Sequence, residues 1–251
     1  MIKVILSGCG GRMGKAVAAA VRNEARIVAG VDINASAIAA SDFPIYERIT
    51  EFSGKADVIV DFSHHSALPS LLDYAKATGT PVVVATTGHT DEELSLMNDA
   101  AKSVAIFHSG NFSIGINLII NLAKQAARTL GADFDIEIIE KHHNKKLDAP
   151  SGTALMIANA VADEREESEY IYDRHSVRKA REPKEIGIHS VRGGSIVGEH
   201  EVIFAGANEV VSISHSAASR EIFANGALRA AIYLAGKGAG LYNMTDLIEG
   251  K

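Results

Sequence analysis

The 251-residue chain holds one cysteine, Cys9, so an intrachain disulfide is excluded. It contains no apolar run near the roughly 20 residues that a bilayer-crossing helix needs, which argues against a membrane partner. No stretch combines basic residues with interleaved aromatics, and a formal charge of −6 argues against nucleic acid as a partner. The opening M-I-K-V-I-L-S-G runs straight into a strand and a glycine loop, without the arrangement of a signal peptide. A cytoplasmic location is therefore expected. What is present is a globular balance, 47% hydrophobic and 22% charged, long enough for one large domain or two modest ones.

The densest chemistry lies in residues 137–153, E-I-I-E-K-H-H-N-K-K-L-D-A-P-S-G-T, with two histidines, three lysines and an aspartate within a dozen positions. Phe134, Ile136, Ile138 and Ile139 predict a strand that ends near Glu140 or Lys141. Ala154, Leu155, Ile157, Ala158 and Val161 recur at helical spacing, with Ser151 and Thr153 supplying N-cap chemistry. The histidines and lysines are thus expected on the connection, and the backbone N–H groups of Ser151, Gly152 and Thr153 favour an anion, a carboxylate by preference. A histidine exchanges protons near neutrality and a lysine offers a lasting cation, a pairing suited to proton transfer beside an anionic substrate. A solvated charged loop is the bland alternative. A metal site is another, but adjacent histidines with the lone cysteine far away do not supply the usual ligand set, so no metal is expected.

The start of the chain reads as strand, glycine turn, helix. A β-branched run over 2–6 is followed by Ser7-Gly8-Cys9-Gly10-Gly11-Arg12-Met13-Gly14, then by Ala16, Val17, Ala20 and Val21 at helical spacing. Gly8, Gly11 and Gly14 allow a tight turn, approach to a pyrophosphate and close helix–strand packing. A strand over 27–31 ends at Asp32, about 20 residues beyond the glycines, where an acid accepts hydrogen bonds from ribose hydroxyls. With Ile33 rather than arginine next to it, Asp32 leans toward NADH over NADPH, though Arg12 leaves that preference open. Cys9 reads as a small tolerated side chain, not a nucleophile.

Strands over 58–62, 81–85 and 104–107 alternate with helices over 66–77 and 92–101, which implies a doubly wound parallel sheet of the Rossmann type. Thr86-Thr87-Gly88 and Ser109-Gly110-Asn111-Phe112-Ser113 are polar turns at the carboxyl ends of strands, where ligands of such sheets bind. His64 and His65 read as exposed loop histidines. A long helix over 114–130 leads to a second, α+β domain. There Ile188, Ser190, Val191, Ile196, Val197, Val202, Phe204 and residues 210–213 suggest a mixed or antiparallel sheet, with turns at Gly193-Gly194 and Gly206 and a face that another subunit could cover. The run 163–169 is a solvated charge cluster, a helix over 220–234 returns to the first domain, and no chemistry attaches to 238–248.

Taken together, G-C-G-G-R-M-G near the start, A-T-T-G at 85–88, N-F-S at 111–113 and E-K-H-H-N-K-K-L-D-A-P-S-G-T-A at 140–154 resemble the 4-hydroxy-tetrahydrodipicolinate (dihydrodipicolinate) reductases over the whole chain. The resemblance implies NADH- or NADPH-dependent reduction of a small cyclic dicarboxylate, 4-hydroxy-tetrahydrodipicolinate, with loss of water in the diaminopimelate route to lysine. It implies His142 as proton donor or acceptor and Lys146 as a second donor, with His143, Ser151, Gly152 and Thr153 on the substrate's carboxylates. Gly8, Cys9, Gly10, Gly11, Arg12 and Met13, with Asp32, would line one part of the cofactor site. Ala85, Thr86 and Thr87, then Ser109, Gly110, Asn111 and Phe112, would line the rest. It further implies a homotetramer, with residues 1–112 and 219–251 as the dinucleotide-binding domain and 113–218 as the domain for substrate and oligomerisation. Ala85 and Ile33 depart from the family's usual residues, and both departures bear on coenzyme preference. A dinucleotide-sensing module, or a reductase of another small dicarboxylate, stands as the alternative.

Overall fold

The computed structural model describes residues 1–38 and 41–250. In chain order the strands and α-helices are β1 (Ile2–Ser7), α1 (Arg12–Ala20), β2 (Ala25–Val31), β3 (Ile45–Tyr46), β4 (Val58–Asp61), α2 (Leu68–Thr78), β5 (Val82–Val84), α3 (Asp91–Ala100), β6 (Ala105–His108) and α4 (Ile114–Leu130). They continue with β7 (Asp135–His142), α5 (Gly152–Ala162), β8 (Glu169–Ile171), β9 (Glu185–Arg192), β10 (Gly198–Ala205), β11 (Val210–Ala217), α6 (Glu221–Leu234), β12 (Gly240–Tyr242) and α7 (Met244–Glu249). Two compact units result, one of Met1–Ile114 with Glu221–Lys251 and the other of Gly115–Arg220.

The first unit is built on a seven-stranded sheet of order β12-β6-β5-β4-β1-β2-β3, parallel throughout. The strands are apolar without alternation because both faces are covered. Val4, Leu6, Val58, Val60, Val83, Ala105 and Phe107 face a core shared with Val17 of α1 and with Ala224, Ala227 and Ala231 of α6. Ile5, Ile59, Val82, Val84 and Ile106 face the opposite core, with Leu68, Leu71 and Leu72 of α2 and Met97 of α3. This is the expected doubly wound sheet. The order reverses at β1, whose neighbours are β2 on one side and β4 on the other, and that switch point is where such folds open a crevice for ligands.

Three short strands lie outside the sequence expectation. β3 and β12 extend the two edges of this sheet, and β8 extends the edge of the other. Each has two or three residues, too few for any periodicity to register, and each is fixed by the strand beside it. The stretch read as chemically silent near the end of the chain is therefore an edge strand followed by α7, which Asn243 and Asp246 open with a reciprocal capping box.

The second unit carries a five-stranded mixed sheet of order β11-β10-β7-β9-β8. β10 is antiparallel to β7 and β11, whereas β9 is parallel to β7 and β8. Alternate residues Ile136, Ile138, Ile186, Ile188, Val202 and Phe204 pack against Ile116, Ile119 and Ala123 of α4 and Ile157, Ala158 and Val161 of α5. Ile196 and Val197, expected to be in a strand, belong to the turn between β9 and β10.

β7 runs to His142, past the expected end at Glu140 or Lys141. It is paired on both sides, Glu140 with His200 and Ser190, Lys141 with Glu199 and Val191, and His142 with Arg192. Two ladders hold a charged segment extended that local composition would release.

Candidate active site

In the first unit, the expected cofactor residues fall on loops that follow β1, β2, β5 and β6, all at the carboxyl edge of one sheet. The glycine loop turns at Gly8, whose φ is +74° and whose absent β-carbon would lie 2.5 Å from the Phe62 carbonyl oxygen. A β-carbon at Gly14 would lie 2.2 Å from the Gly8 carbonyl oxygen, so α1 packs directly on the turn only because that residue is glycine. Gly11, the N-cap of α1, is extended at φ −70° and needs no glycine conformation. Its place is functional in another way: α1 has no side-chain cap and no acid in its first turn, leaving its positive end to an anion.

Asp32 clamps this loop. Its Oδ2 accepts the Gly10 N–H at 3.0 Å and its Oδ1 accepts the Asn34 N–H at 3.0 Å, which leaves lone pairs on both oxygens for ribose hydroxyls. Cys9 is buried against Gly30, and its thiol pKa is raised above the ordinary 9.0 by burial first and by nearby Asp32 second. Only its backbone can meet a ligand. These residues fit a dinucleotide: a tight turn, an uncapped helix start and an acid at the end of the second strand.

The remaining loops are organised by a residue that sequence reasoning passed over. Asp61, at the end of β4 and 1% exposed, accepts the Thr86 hydroxyl at 2.7 Å and the Ser63 hydroxyl at 2.6 Å, tying the turn after β5 to the turn after β4. An acid closing the apolar run V-I-V was the available signal. Ser109 and Asn111 cap their own turn, with the Ser109 hydroxyl donating to the Asn111 carbonyl and the Ser113 N–H donating to Asn111 Oδ1. Phe112 is buried between Phe62 and Phe107. His64 is exposed, as expected, but His65 is half-buried on Glu93, 2.9 Å from Nδ1, and His89 also approaches that carboxylate.

In the second unit, the end of β7 and the start of α5 bring His142 and Ser151 onto one buried carboxylate. Glu140 is fully buried. Its Oε2 accepts from His142 Nδ1 at 2.6 Å and its Oε1 accepts the Ser151 N–H at 3.0 Å. Arg192 adds a fork, Nη1 to Oε2 and Nη2 to Oε1, both at 2.7 Å. Burial pushes the Glu140 pKa up, but the hydrogen bonds from Arg192, His142, Ser190 and Ser151 outweigh it and hold the carboxyl at about 2. It is an anion at any working pH. Glu140, Arg192 and His200 were not among the site residues inferred from sequence, since a strand-end acid and an arginine 52 positions away meet only through the β7–β9 ladder.

Ser151 is the N-cap of α5, its hydroxyl accepting the Ala154 N–H at 3.1 Å, as its position before the helical run predicts. The same hydroxyl lies 3.1 Å from Nε2 of His200, a buried residue whose pKa is driven down to about 4, chiefly by burial and then by His142. A β-carbon at Gly152 would meet nothing within 4 Å, so the start of the serine-capped first turn faces open space. His143 holds a buried Nδ1 with no hydrogen-bond partner among the described residues. Lys146 pairs with Asp148 at 2.8 Å, whereas Lys141 points to the opposite sheet face and meets Glu199. Of the three lysines, Lys141 is thereby removed from the chemistry.

The chain is similar throughout its length to proteins of one kind. The family model described as dihydrodipicolinate reductase, N-terminus, matches residues 2–112, and that described as dihydrodipicolinate reductase, C-terminus, matches residues 115–248. The 4-hydroxy-tetrahydrodipicolinate reductase of Caldanaerobacter subterraneus subsp. tengcongensis is 53% identical over 99% of each chain. That of Clostridium novyi (strain NT) is 52% identical over 100% of each. Among solved structures, a dipicolinate-bound dihydrodipicolinate reductase from Paenisporosarcina sp. TG-14 superposes with a TM-score of 0.79 at 27% identity, covering 97% of each chain. A glycine loop alone would leave many dinucleotide enzymes in contention, but matches that run through both units do not, and the chain belongs to the dihydrodipicolinate reductase family.

Proposed function

We propose that this chain reduces 4-hydroxy-tetrahydrodipicolinate to tetrahydrodipicolinate with NAD(P)H and loss of water, in the diaminopimelate route to lysine. The observation that carries the reading is the arrangement at the end of β7: a histidine held by a buried carboxylate, in the same connection as a serine-capped helix start. Such a helix start holds a carboxylate, and a relative is known with dipicolinate, a planar dicarboxylate, bound.

NAD(P)H, when bound, supplies hydride. The protein's own task is to hold the dicarboxylate and deliver a proton. Ser151, Gly152 and Thr153 take one carboxylate on the first turn of α5, and the unpartnered His143 nitrogen is a further donor for the substrate. His142 is the proton donor, and Lys146 offsets developing negative charge or supplies a second proton. Lys146 must exchange Asp148 for substrate, which a half-exposed ion pair permits at small cost.

On the cofactor side, Gly8 to Met13 with Asp32, Ala85 to Thr87 and Ser109 to Phe112 take the dinucleotide. A carboxylate at Asp32 followed by Ile33 favours NADH over NADPH. The sheet face opposite α4 and α5 carries Ile139 and Ile203 among Glu137, Lys141 and Glu201, a mixed surface that supports assembly into a homotetramer. Among the described residues no helix is long and apolar enough to cross a membrane.

The test is oxidation of NADH and NADPH with substrate generated in place from pyruvate and aspartate semialdehyde, for wild type and His142→Gln. Rapid oxidation that the variant loses mainly in kcat is expected. A folded wild type that binds either coenzyme yet oxidises neither would overturn the assignment.

A further inference from the structure

We propose that Glu140 is a positioning residue that fixes which nitrogen of His142 transfers the proton, namely Nε2, and that locks this histidine to the helix start that holds the substrate's carboxylate. The inference rests on the reading of His142 as proton donor and deepens it.

A carboxylate has about four lone-pair sites and can only accept hydrogen bonds once ionised. On Glu140, His142 Nδ1 and Arg192 Nη1 donate to one oxygen and the Ser151 N–H and Arg192 Nη2 to the other, with a further hydrogen bond from the Ser190 side chain. Because the acceptor is an anion, the His142 nitrogen facing it must carry hydrogen. Nδ1–H is therefore committed in every state of the ring, and only Nε2 alternates. In the forward step the bond from Nε2 to hydrogen breaks and its electron pair stays on the ring as the proton passes to the substrate. The ring returns to neutral with its proton at Nδ1, and solvent restores Nε2–H.

Arg192 completes the device and is excluded from another role. Both of its terminal nitrogens are engaged by Glu140, Nη2 also donates to the Asp148 carbonyl at 2.6 Å, and Nη1 to the Val191 carbonyl at 2.8 Å. Its terminal nitrogens are spent on Glu140 and these carbonyls, and its remaining nitrogen, Nε, is buried, so the group is placed to hold Glu140. One carboxylate thus sets the separation between the proton donor and the first residue of the anion cradle, by hydrogen bonds to both.

The decisive measurement needs no variant. Nitrogen-15 NMR of histidine-labelled wild type, above the pH at which the rings are neutral, should show His142, assigned by loss of its signals in His142→Gln, protonated at Nδ1 and bare at Nε2. The reverse tautomer would overturn the proposal. Glu140→Gln then presents an amide N–H to Nδ1 and should move the proton to Nε2, lowering kcat by about 100-fold or more while dipicolinate, used as the binding probe, keeps its affinity within a few-fold. A kcat within about threefold of wild type would overturn the inference while leaving the functional reading intact, provided that His142→Gln is inactive. If His142→Gln turns over normally, the reading of His142 falls and takes this inference with it. Should Glu140→Gln fail to fold, with half-buried Arg192 left without its counter-charge, the wild-type tautomer still decides.

Discussion

The Nε2 atom of His142 lies 3.1 Å from the point where a β-carbon on Gly198 would stand. Gly198 is the first residue of β10, so the strand leaves room for the ring by having no side chain there. A methyl group in that space forces the ring aside, and the ring cannot yield freely because Nδ1 is tied to Glu140 and the His200 ring sits 5.2 Å away, centre to centre. Gly198→Ala should therefore lower kcat by roughly 10- to 100-fold, the scale on which small misplacements of a reacting group act. Melting and steady-state kinetics together check this: an unchanged kcat in a folded variant would show that the ring has other room.

His200 predicts how stability responds to acid. Its pKa in the fold, about 4, is below its ordinary 6.5, so the unfolded chain binds the proton more readily. Stability is then fully present above pH 6.5 and is lost as pH falls through the window from 6.5 to 4, by about 3 kcal/mol in all. His200→Gln should remove that part of the loss while keeping a hydrogen-bonding group toward Ser151. Glu140 acts in a separate window. Its pKa is depressed from 4.5 to about 2, so its contribution is whole above 4.5 and disappears only as pH falls toward 2. Urea titrations at pH 7, 5.5 and 4 separate the two. Equal slopes of stability against pH for wild type and His200→Gln between 6.5 and 4 would contradict the assignment.

The outer frame was legible in the sequence because it rests on local signals. β1 is a β-branched run, α1 follows glycines, and α4 from Ile114 to Leu130 keeps its periodicity for its full length, so each could be read without knowing its neighbours. Ser151 was legible as a cap for the same reason. The groups that organise the candidate residues within each unit were not, because their meaning is a pairing. Glu140 looks like one more charge in E-K-H-H until the β7–β9 ladder sets Arg192 beside it. Asp61 looks like the end of a strand until Thr86 reaches it from the next one. Lys141 looked like part of the chemistry because the strand was expected to end near Glu140 or Lys141. Carrying the strand on to His142 turns Lys141 to the far face and leaves His142 on the near one.

Gly8 tests the nucleotide loop. An alanine there would carry a positive φ and a β-carbon 2.5 Å from the Phe62 carbonyl oxygen, and that oxygen belongs to a backbone that cannot rotate away. The strained conformation alone costs about 1–3 kcal/mol, and the overlap adds to it. Gly8→Ala should lower the melting temperature and weaken NADH binding together, while dipicolinate binding, which the reading assigns to the other unit, changes little. Calorimetry with each ligand would show it. Equal loss of both ligands would mean that the fold as a whole had failed.

Asp32 carries two duties, and a single substitution can separate them. Its two oxygens accept the Gly10 and Asn34 N–H groups, which shapes the loop, and its negative charge opposes a 2′-phosphate, which selects NADH. Asp32→Asn keeps one acceptor oxygen and replaces the other with an N–H₂ group that faces a backbone N–H. Loop damage of that kind weakens both coenzymes alike, because both carry the same pyrophosphate. Removal of the charge helps only NADPH, by relieving like-charge repulsion on the order of 1–2 kcal/mol at this partly exposed position. The expected result is lower kcat/KM with NADH, with the ratio of NADPH to NADH raised about tenfold. That ratio, unlike either constant alone, is insensitive to the loop. If it stays fixed while both constants fall, Asp32 is a structural clamp and coenzyme choice is made elsewhere, with Arg12 at the mouth of the loop the next residue to change.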